Sequence, residues 1–310
     1  MKKTALKFEN ILSPIEKNLC EFDKKILKSF SGDNILIDKI AQYIINSGGK
    51  RLRPSIVFLF AAMFGSIQKE HYELACAVEL IHNATLVHDD IIDDADKRRN
   101  QETIHTKWDN KTAVLAGDYL LAKALKHLIK TKNTAILELF AEITEEICQG
   151  EVEQFTNKTD LSLEGYIERS KRKTGMLFSL CTQGACSISN NENLENAKNY
   201  ALNIGIAFQI VDDLLLFKEN YAEKSLKTDF ESSIFTLPVI FATQYGAKID
   251  FNCDFETFKV QILNTKAIDK SYELALKYSQ QAIENLSGFK DNQYKSSLCD
   301  LARYIVDREF

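Results

Sequence analysis

The sequence predicts an all-α protein, a single large helical bundle around a central cavity, on three observations. Its 310 residues hold only three prolines (Pro14, Pro54 and Pro238) and 12 glycines, too little turn chemistry for the many short strands of a sandwich or barrel. Apolar residues recur at three- and four-residue spacing along most of the chain, as in helices that bury one face. No repeat, low-complexity tract or Ser/Gly-rich linker interrupts this pattern, so one domain spanning 1–310 is the simplest organisation.

Taken in order, the periodic segments run over 8–30, 34–46, 55–65, 71–95, 111–130, 133–156, 163–187, 193–219, 235–245 and 270–286, with a last helix from 291. Gly48 and Gly49 close one helix, Pro54 sits in the first turn of the next, and Pro238 lies just inside another start. The segments around Leu80, Val114 and Ile206 are apolar on more than one face, which predicts central helices sheathed by others.

Composition excludes several classes of function. The net charge of -5 and the scattered lysines do not suit a binder of nucleic-acid phosphates. None of the seven cysteines forms a CxxC pair, and most fall in apolar stretches where a thiol acts as a small hydrophobe, so a reducing cytoplasm is expected. The basic N-terminus runs into charged residues rather than an apolar core, unlike a signal peptide. The longest apolar run, Ile56 to Phe64, is too short to cross a bilayer.

The strongest chemical signal is His88-Asp89-Asp90-Ile91-Ile92-Asp93-Asp94, followed by Arg98 and Arg99. On a helix, Asp89 and Asp93 share a face with their side-chain bases about 5–6 Å apart. At an effective dielectric near 20, two unpaired carboxylates that close repel by roughly 3 kcal/mol, so a cation is expected between them. Oxygen ligands with open positions suit Mg²⁺, which keeps its waters and bridges to substrate phosphate. An acidic helix end is often only a solvated face, but this one directly follows the apolar stretch Ile81 to Val87 and so stands at the mouth of something greasy.

A second pair, Asp212-Asp213, follows another apolar stretch. Basic groups occur at Lys50, Arg51 and Arg53, at Arg98 and Arg99, and at Lys171, Arg172 and Lys173 before Thr174. A charge trio alone is usually surface, but two carboxylate pairs together with several basic groups imply a site for two diphosphates. One would be held through Mg²⁺ and the other by direct Lys and Arg contacts.

Five motifs, Gly48-Gly49-Lys50-Arg51-Leu52-Arg53-Pro54, Leu86-Val87-His88-Asp89-Asp90-Ile91-Ile92-Asp93 with Arg98-Arg99, Ala113-Val114-Leu115-Ala116-Gly117-Asp118, Lys173-Thr174, and Gly205 through Phe208-Gln209 to Asp212-Asp213, occur in that order. In order and spacing the sequence resembles the trans-type polyprenyl diphosphate synthases over nearly its whole length. The resemblance implies the isoprenoid synthase fold, a homodimer, and about three Mg²⁺ ions per site, in keeping with the metal's taste for substrate phosphates. It implies that Asp89 and Asp93, supported by Asp90, bind Mg²⁺ on the allylic diphosphate, and that Asp212, supported by Asp213, binds Mg²⁺ from the opposite wall. By the same likeness Lys50, Arg53, His82 and Arg99 hold isopentenyl diphosphate, while Arg98, Lys173, Thr174 and Gln209 serve the allylic side. His82 also reads as a core histidine, Gln209 as a buried hydrogen-bonding group and Lys173 as a surface charge. The implied reaction adds isopentenyl diphosphate to an allylic primer such as farnesyl or geranylgeranyl diphosphate, with membrane contact at most transient, through product release.

The second acidic motif departs from the family's DDxxD, because Leu216 stands at its last position. Thr228 and Ile234 occupy two expected lysine positions, with Lys227 as a neighbouring substitute and Glu219 as a replacement for lost acidity. If each missing charge-assisted contact is worth about 1.5–3 kcal/mol, losing two or three slows catalysis a hundredfold or more. A catalytically weakened or regulatory subunit is therefore the nearest rival reading. The more distant rival is an HD-type metal phosphohydrolase, to which His88-Asp89 with His82 is similar, although that reading leaves Asp212-Asp213 and the Gly-Gly-Lys-Arg turn unexplained. One turn before Asp89, Ala84 and Thr85 are expected to line the start of the product tunnel. Their small side chains imply a long product, near octaprenyl, as in a quinone side chain.

Overall fold

The computed structural model describes residues 7–30, 34–156, 161–218, 235–247, 249–250 and 252–307. Among the described residues the chain forms α1 (Phe8–Leu12), α2 (Glu16–Lys28), α3 (Ile35–Asn46), α4 (Leu52–Phe64), α5 (Lys69–Ile92), α6 (Ile104–Lys107), α7 (Asn110–Lys130) and α8 (Thr134–Thr156). It continues through α9 (Leu163–Ser170), α10 (Met176–Ile188), α11 (Leu194–Leu215), α12 (Leu237–Gln244), α13 (Phe255–Leu263), α14 (Ala267–Asn285) and α15 (Gln293–Asp307). A single short hairpin, β1 (Lys97–Arg98) against β2 (Gln101–Glu102), joins α5 to α6. No described helix is long and apolar enough to cross a membrane.

Helix α4 forms the floor of the bundle, with every residue from Pro54 to Met63 buried. It packs on α5, α10 and α15, while α11 packs on α10 and α14. The expectation of central helices holds around Leu80 on α5 and Ile206 on α11, both fully buried or nearly so. It fails around Val114: α7 lies on the outside, packed along α5 and leaving Val114 45% and Leu115 64% exposed. The apolar residues there form an outer face, which periodicity cannot tell from an inner one. Helix α13 was not predicted. Its start is capped by Asp254, whose carboxylate accepts from Thr257 N at 3.0 Å, and only Phe258 and Ile262 are buried, too short a pattern to stand out.

Between α9 and α10 the backbone widens into one π turn, Lys171–Gly175. Here α11 comes unusually close: a Cβ on Gly205 would lie 2.4 Å from the Cα of Gly175, so the crossing requires glycine at position 205. That crossing brings the π turn against α11, and π turns of this kind recur at functional sites.

At the opposite end of α5, Glu73 ties three helices together. Its carboxylate takes Lys25 Nζ at 2.8 Å and His127 Nδ1 at 2.5 Å, and His127 Nε2 lies 2.9 Å from Ser29 Oγ. Burial pushes the Glu73 carboxyl up, but His127 and Lys25 outweigh it and hold the group down at about 2, against 4.5 for a free glutamate. A depressed carboxyl stabilises the fold at neutral pH, and that stability is lost as pH falls from about 4.5 towards 2, up to about 3 kcal/mol. Glu73→Gln is therefore expected to lower the unfolding free energy at pH 7 by an amount of that order and to flatten its fall between pH 5 and pH 2, as followed by urea unfolding across pH.

Candidate active site

A cavity of about 690 Å³ opens between α4, α5, α8, α11 and the π turn. Its lining includes Lys50, Arg53, His82, Thr85, Asp89, Arg98, Arg99, Lys173, Thr174, Gln209 and Asp212. Acidic residues from α5 and α11 thus face one space. Below them the walls turn apolar, with Ile147, Val152, Leu177 and Phe208.

The basic side is built around the Gly-Gly turn. Gly48 and Gly49 take positive φ of 86° and 144°, and Arg51 follows at 49° before α4 begins. This turn sorts the three cations. Arg51 is consumed by the fold, holding Glu79 at 2.8 Å, Asp23 at 3.3 Å and the Ile45 carbonyl at 3.0 Å. Lys50 and Arg53 line the cavity beside it, without an ion pair among the described residues. The Lys50 ammonium donates to the Tyr304 hydroxyl at 2.9 Å and lies over the Phe8 and Tyr304 rings. The Arg53 guanidinium stacks over Phe178, 4.9 Å from the ring centre, while its buried Nε has no hydrogen-bond partner. Burial lowers its pKa from the usual arginine value. A buried cationic N–H without a partner is costly unless an anion supplies one.

Arg99 sits at the tip of the β1–β2 hairpin, where Arg99 and Asn100 both take positive φ (51° and 63°) in a two-residue turn. Its guanidinium donates to the Gly48 carbonyl, and a Cβ on Gly49 would strike it at 2.9 Å. The hairpin and the Gly-Gly turn therefore position one another. His82, beneath them, is pushed well below the ordinary histidine value first by burial and then by Arg53 and Arg99. It is a neutral imidazole at neutral pH.

The acidic residues divide by role. Asp89 lines the cavity; burial raises its pKa to about 6, Lys173 pulls it down, and Glu151 and Asp93 push it up. Asp93, at the exposed C-cap of α5, is also raised by burial. Asp90 turns away from the cavity to Arg98, whose Nε donates to it at 2.7 Å. Asp212 faces the cavity. Asp213 is buried behind it and accepts from Tyr166 Oη at 2.7 Å, Gln209 Nε2 at 3.0 Å and Leu237 N at 3.2 Å. Thr174 Oγ1 donates to Gln209 Oε1 at 3.1 Å, so one chain of hydrogen bonds runs from Thr174 and Gln209 in the cavity lining to Asp213 and Tyr166 behind it. His88 is fixed by α7: its Nε2 lies 3.3 Å from the Val114 carbonyl and 3.6 Å from Asp118, and a Cβ on Gly117 would overlap its ring.

Sequence reasoning missed Glu79, Glu151, Tyr166, Tyr304 and Phe8. Glu151 had a visible signal, because it falls on the same helical stripe as Ile147 and faces α5. Tyr304 and Phe8 had none, since only tertiary packing brings both chain ends to Lys50. Thr85 lines the cavity, with its hydroxyl returned to the His82 carbonyl at 2.9 Å, whereas Ala84 is fully buried in the core. Leu216 packs against the core. Glu219, Lys227, Thr228 and Ile234 lie outside the described residues.

Among the described residues no three His, Cys, Asp or Glu side chains form a closed metal cage. The donor set is instead open: a desolvated carboxylate on α5, another on α11 lining the same cavity, and a buried guanidinium whose Nε has no hydrogen-bond partner. Hard oxygen donors of this kind fit Mg²⁺ whose remaining positions are filled by water and phosphate oxygens.

Fold and site together define an α-helical enzyme that handles diphosphates at the mouth of an apolar cavity. The sequence matches the Polyprenyl synthetase family over residues 34–270, and the chain belongs to that family. It is 33% identical over 322 residues to heptaprenyl diphosphate synthase component 2 of Geobacillus stearothermophilus, covering 98% of this chain and 100% of that one. The fold is similar to a decaprenyl diphosphate synthase from Rhodobacter capsulatus, with TM-score 0.90, 28% identity and coverage of 97% and 99%. It is similar also to a polyprenyl synthase from Caulobacter crescentus solved with calcium and isoprenyl diphosphate, with TM-score 0.91, 28% identity and coverage of 99% and 100%.

The raised Asp89 carboxyl has a measurable consequence. A carboxyl whose folded pKa lies above its unfolded value favours the fold in acid, and that contribution is lost as pH rises from about 3.8 through about 6. Asp89→Asn is expected to stabilise the protein in EDTA at pH 7.5 by on the order of 1–3 kcal/mol, with the gain gone below pH 4. Thermal melts at both pH values check this.

Proposed function

We propose that the chain condenses isopentenyl diphosphate with an allylic diphosphate to make a long all-trans polyprenyl diphosphate, near octaprenyl in length. The observation that supports this reading most directly is the shared cavity, whose partly apolar lining holds both Asp89 and Asp212 together with Arg53, the Nε of which has no hydrogen-bond partner. Two diphosphates carry more negative charge than the basic residues alone balance, and the facing carboxylates call for cations between them. Mg²⁺, in a cluster of about three ions bound with the substrate, supplies Lewis-acid neutralisation of the leaving diphosphate. Asp89, Asp93 and Asp212 are its ligands, with Asp90 and Asp213 acting behind them through Arg98 and Gln209.

Lys50, Arg53, Arg99 and neutral His82 hold the diphosphate of isopentenyl diphosphate, and Arg98, Lys173, Thr174 and Gln209 hold the allylic one. In the reaction the allylic C–O bond breaks and diphosphate leaves. The double bond of isopentenyl diphosphate forms the new C–C bond, and a proton is lost, with the departing diphosphate as its acceptor. Fixed cations aimed at the leaving group provide the main acceleration, and no protein nucleophile takes part. His88 is engaged by α7, which argues against the phosphohydrolase reading.

The product length rests on Thr85, whose small side chain lines the cavity one turn below Asp89, and on relatives whose names specify heptaprenyl and decaprenyl products. We place the active unit as a homodimer in the cytoplasm. The outer apolar residues Val114, Leu115, Leu125 and Ile129 on α7 support a partner copy there.

Incorporation of radiolabelled isopentenyl diphosphate with farnesyl diphosphate and Mg²⁺ tests the reaction. The expected result is a butanol-extractable product that disappears with EDTA; no incorporation at any enzyme concentration overturns the activity and leaves the regulatory reading. Thr85→Phe is expected to shift the dephosphorylated product to shorter chains on reversed-phase thin-layer chromatography, and an unchanged distribution contradicts the assignment of this wall to the growing tail.

A further inference from the structure

Lys173 occupies an unusual place for a group assigned to a substrate anion. Its ammonium lies 3.2 Å from Glu151 Oε1, across the cavity from α5. Asp89 lines the same cavity, and the ammonium's charge acts on Asp89 and Asp93. A lysine ammonium is charged at neutral pH. Among the described residues Glu151 has no second ion-pair partner, whereas Arg172, the neighbouring base, is held by Glu146, Glu153 and Glu168. The π turn carries Lys173 and Thr174 into the cavity together, so the lysine is delivered inward by the backbone rather than drifting there as a surface chain.

We propose that Glu151 is a positioning residue that docks Lys173 among the α5 carboxylates, so that the ammonium holds the metal's place until a diphosphate arrives with its own Mg²⁺. This rests on the reading of the cavity as a metal–diphosphate site. In the free enzyme, one ammonium offsets part of the charge of three carboxylates and repels a bare divalent ion. A diphosphate offers Lys173 a stronger partner than Glu151 and supplies oxygens to the metal, so lysine and metal change places in one event. Glu151 then becomes an unpaired carboxylate beside the metal and adds to its attraction. Metal alone binds weakly; metal with diphosphate binds well.

The test is a Mn²⁺ titration of the full chain, read by loss of the free-ion electron paramagnetic resonance signal, without and with inorganic pyrophosphate. Without pyrophosphate, Lys173→Gln is expected to bind Mn²⁺ roughly tenfold more tightly than the unaltered protein, because a competing charge is gone. Lys173→Arg, which keeps the charge, is expected to retain weak binding, and Glu151→Gln to bind more weakly still. With pyrophosphate the advantage of Lys173→Gln is expected to vanish. If Lys173→Gln binds Mn²⁺ no more tightly than the unaltered protein while circular dichroism shows it folded, the proposal is overturned. If that variant does not fold, Glu151→Gln decides: Mn²⁺ binding equal to or tighter than the unaltered protein's overturns the proposal. Prenyl incorporation by the unaltered protein, assayed separately, tests the functional reading alone.

Discussion

The structure depends on keeping charge of both signs at the edge of an apolar interior. The same walls that make the cavity greasy strip water from Asp89, which raises its pKa to about 6, and from Arg53, which is left with an unpartnered Nε. Neither group is comfortable alone. Desolvation strengthens whatever interaction each eventually makes, so a desolvated carboxylate and a guanidinium with an unpartnered Nε together favour a ligand that brings both a cation and an anion. A hydrated divalent ion on a diphosphate has that composition.

Holding such groups in place is the task of the surrounding helices, and the site shows how charges are divided for it. Within each basic or acidic run, one residue is spent on the scaffold and its neighbours are left to the cavity: Arg51 is tied to Glu79 while Lys50 and Arg53 face inward, and Asp90 is tied to Arg98 while Asp89 faces inward. Asp213 is likewise locked by Tyr166, Gln209 and Leu237 behind Asp212. Close backbone packing completes the arrangement. Gly205 against Gly175 sets the distance between α11 and the π turn, and Gly49 makes room for Arg99.

Much of this was legible in the sequence because it is encoded locally. Helical period and scarce proline are local properties, and most helices followed from them, while Asp89 and Asp212 were read from acidic pairs that follow apolar stretches. What periodicity does not encode is which neighbour an apolar face meets. Val114 and Leu115 therefore read as interior although they lie outside, and Ala84 read as a cavity residue although its neighbour Thr85 lines the wall. The hairpin carrying Arg99 was invisible because its two-residue turn uses Arg-Asn rather than the usual glycine pairing. Tyr304 and Phe8 join the site only when both ends of the chain meet over Lys50, a contact no local pattern records.

The central claim is that carboxylates from α5 and α11 act on one metal–diphosphate group. A double-mutant cycle on Mg²⁺-dependent binding of methylene diphosphonate, measured by isothermal titration calorimetry with Asp89→Asn, Asp212→Asn and the double variant, tests it most directly. Strong coupling is expected, with the double variant losing much less affinity than the two single losses added. Additive losses would mean that the two carboxylates serve separate sites, and would contradict the account.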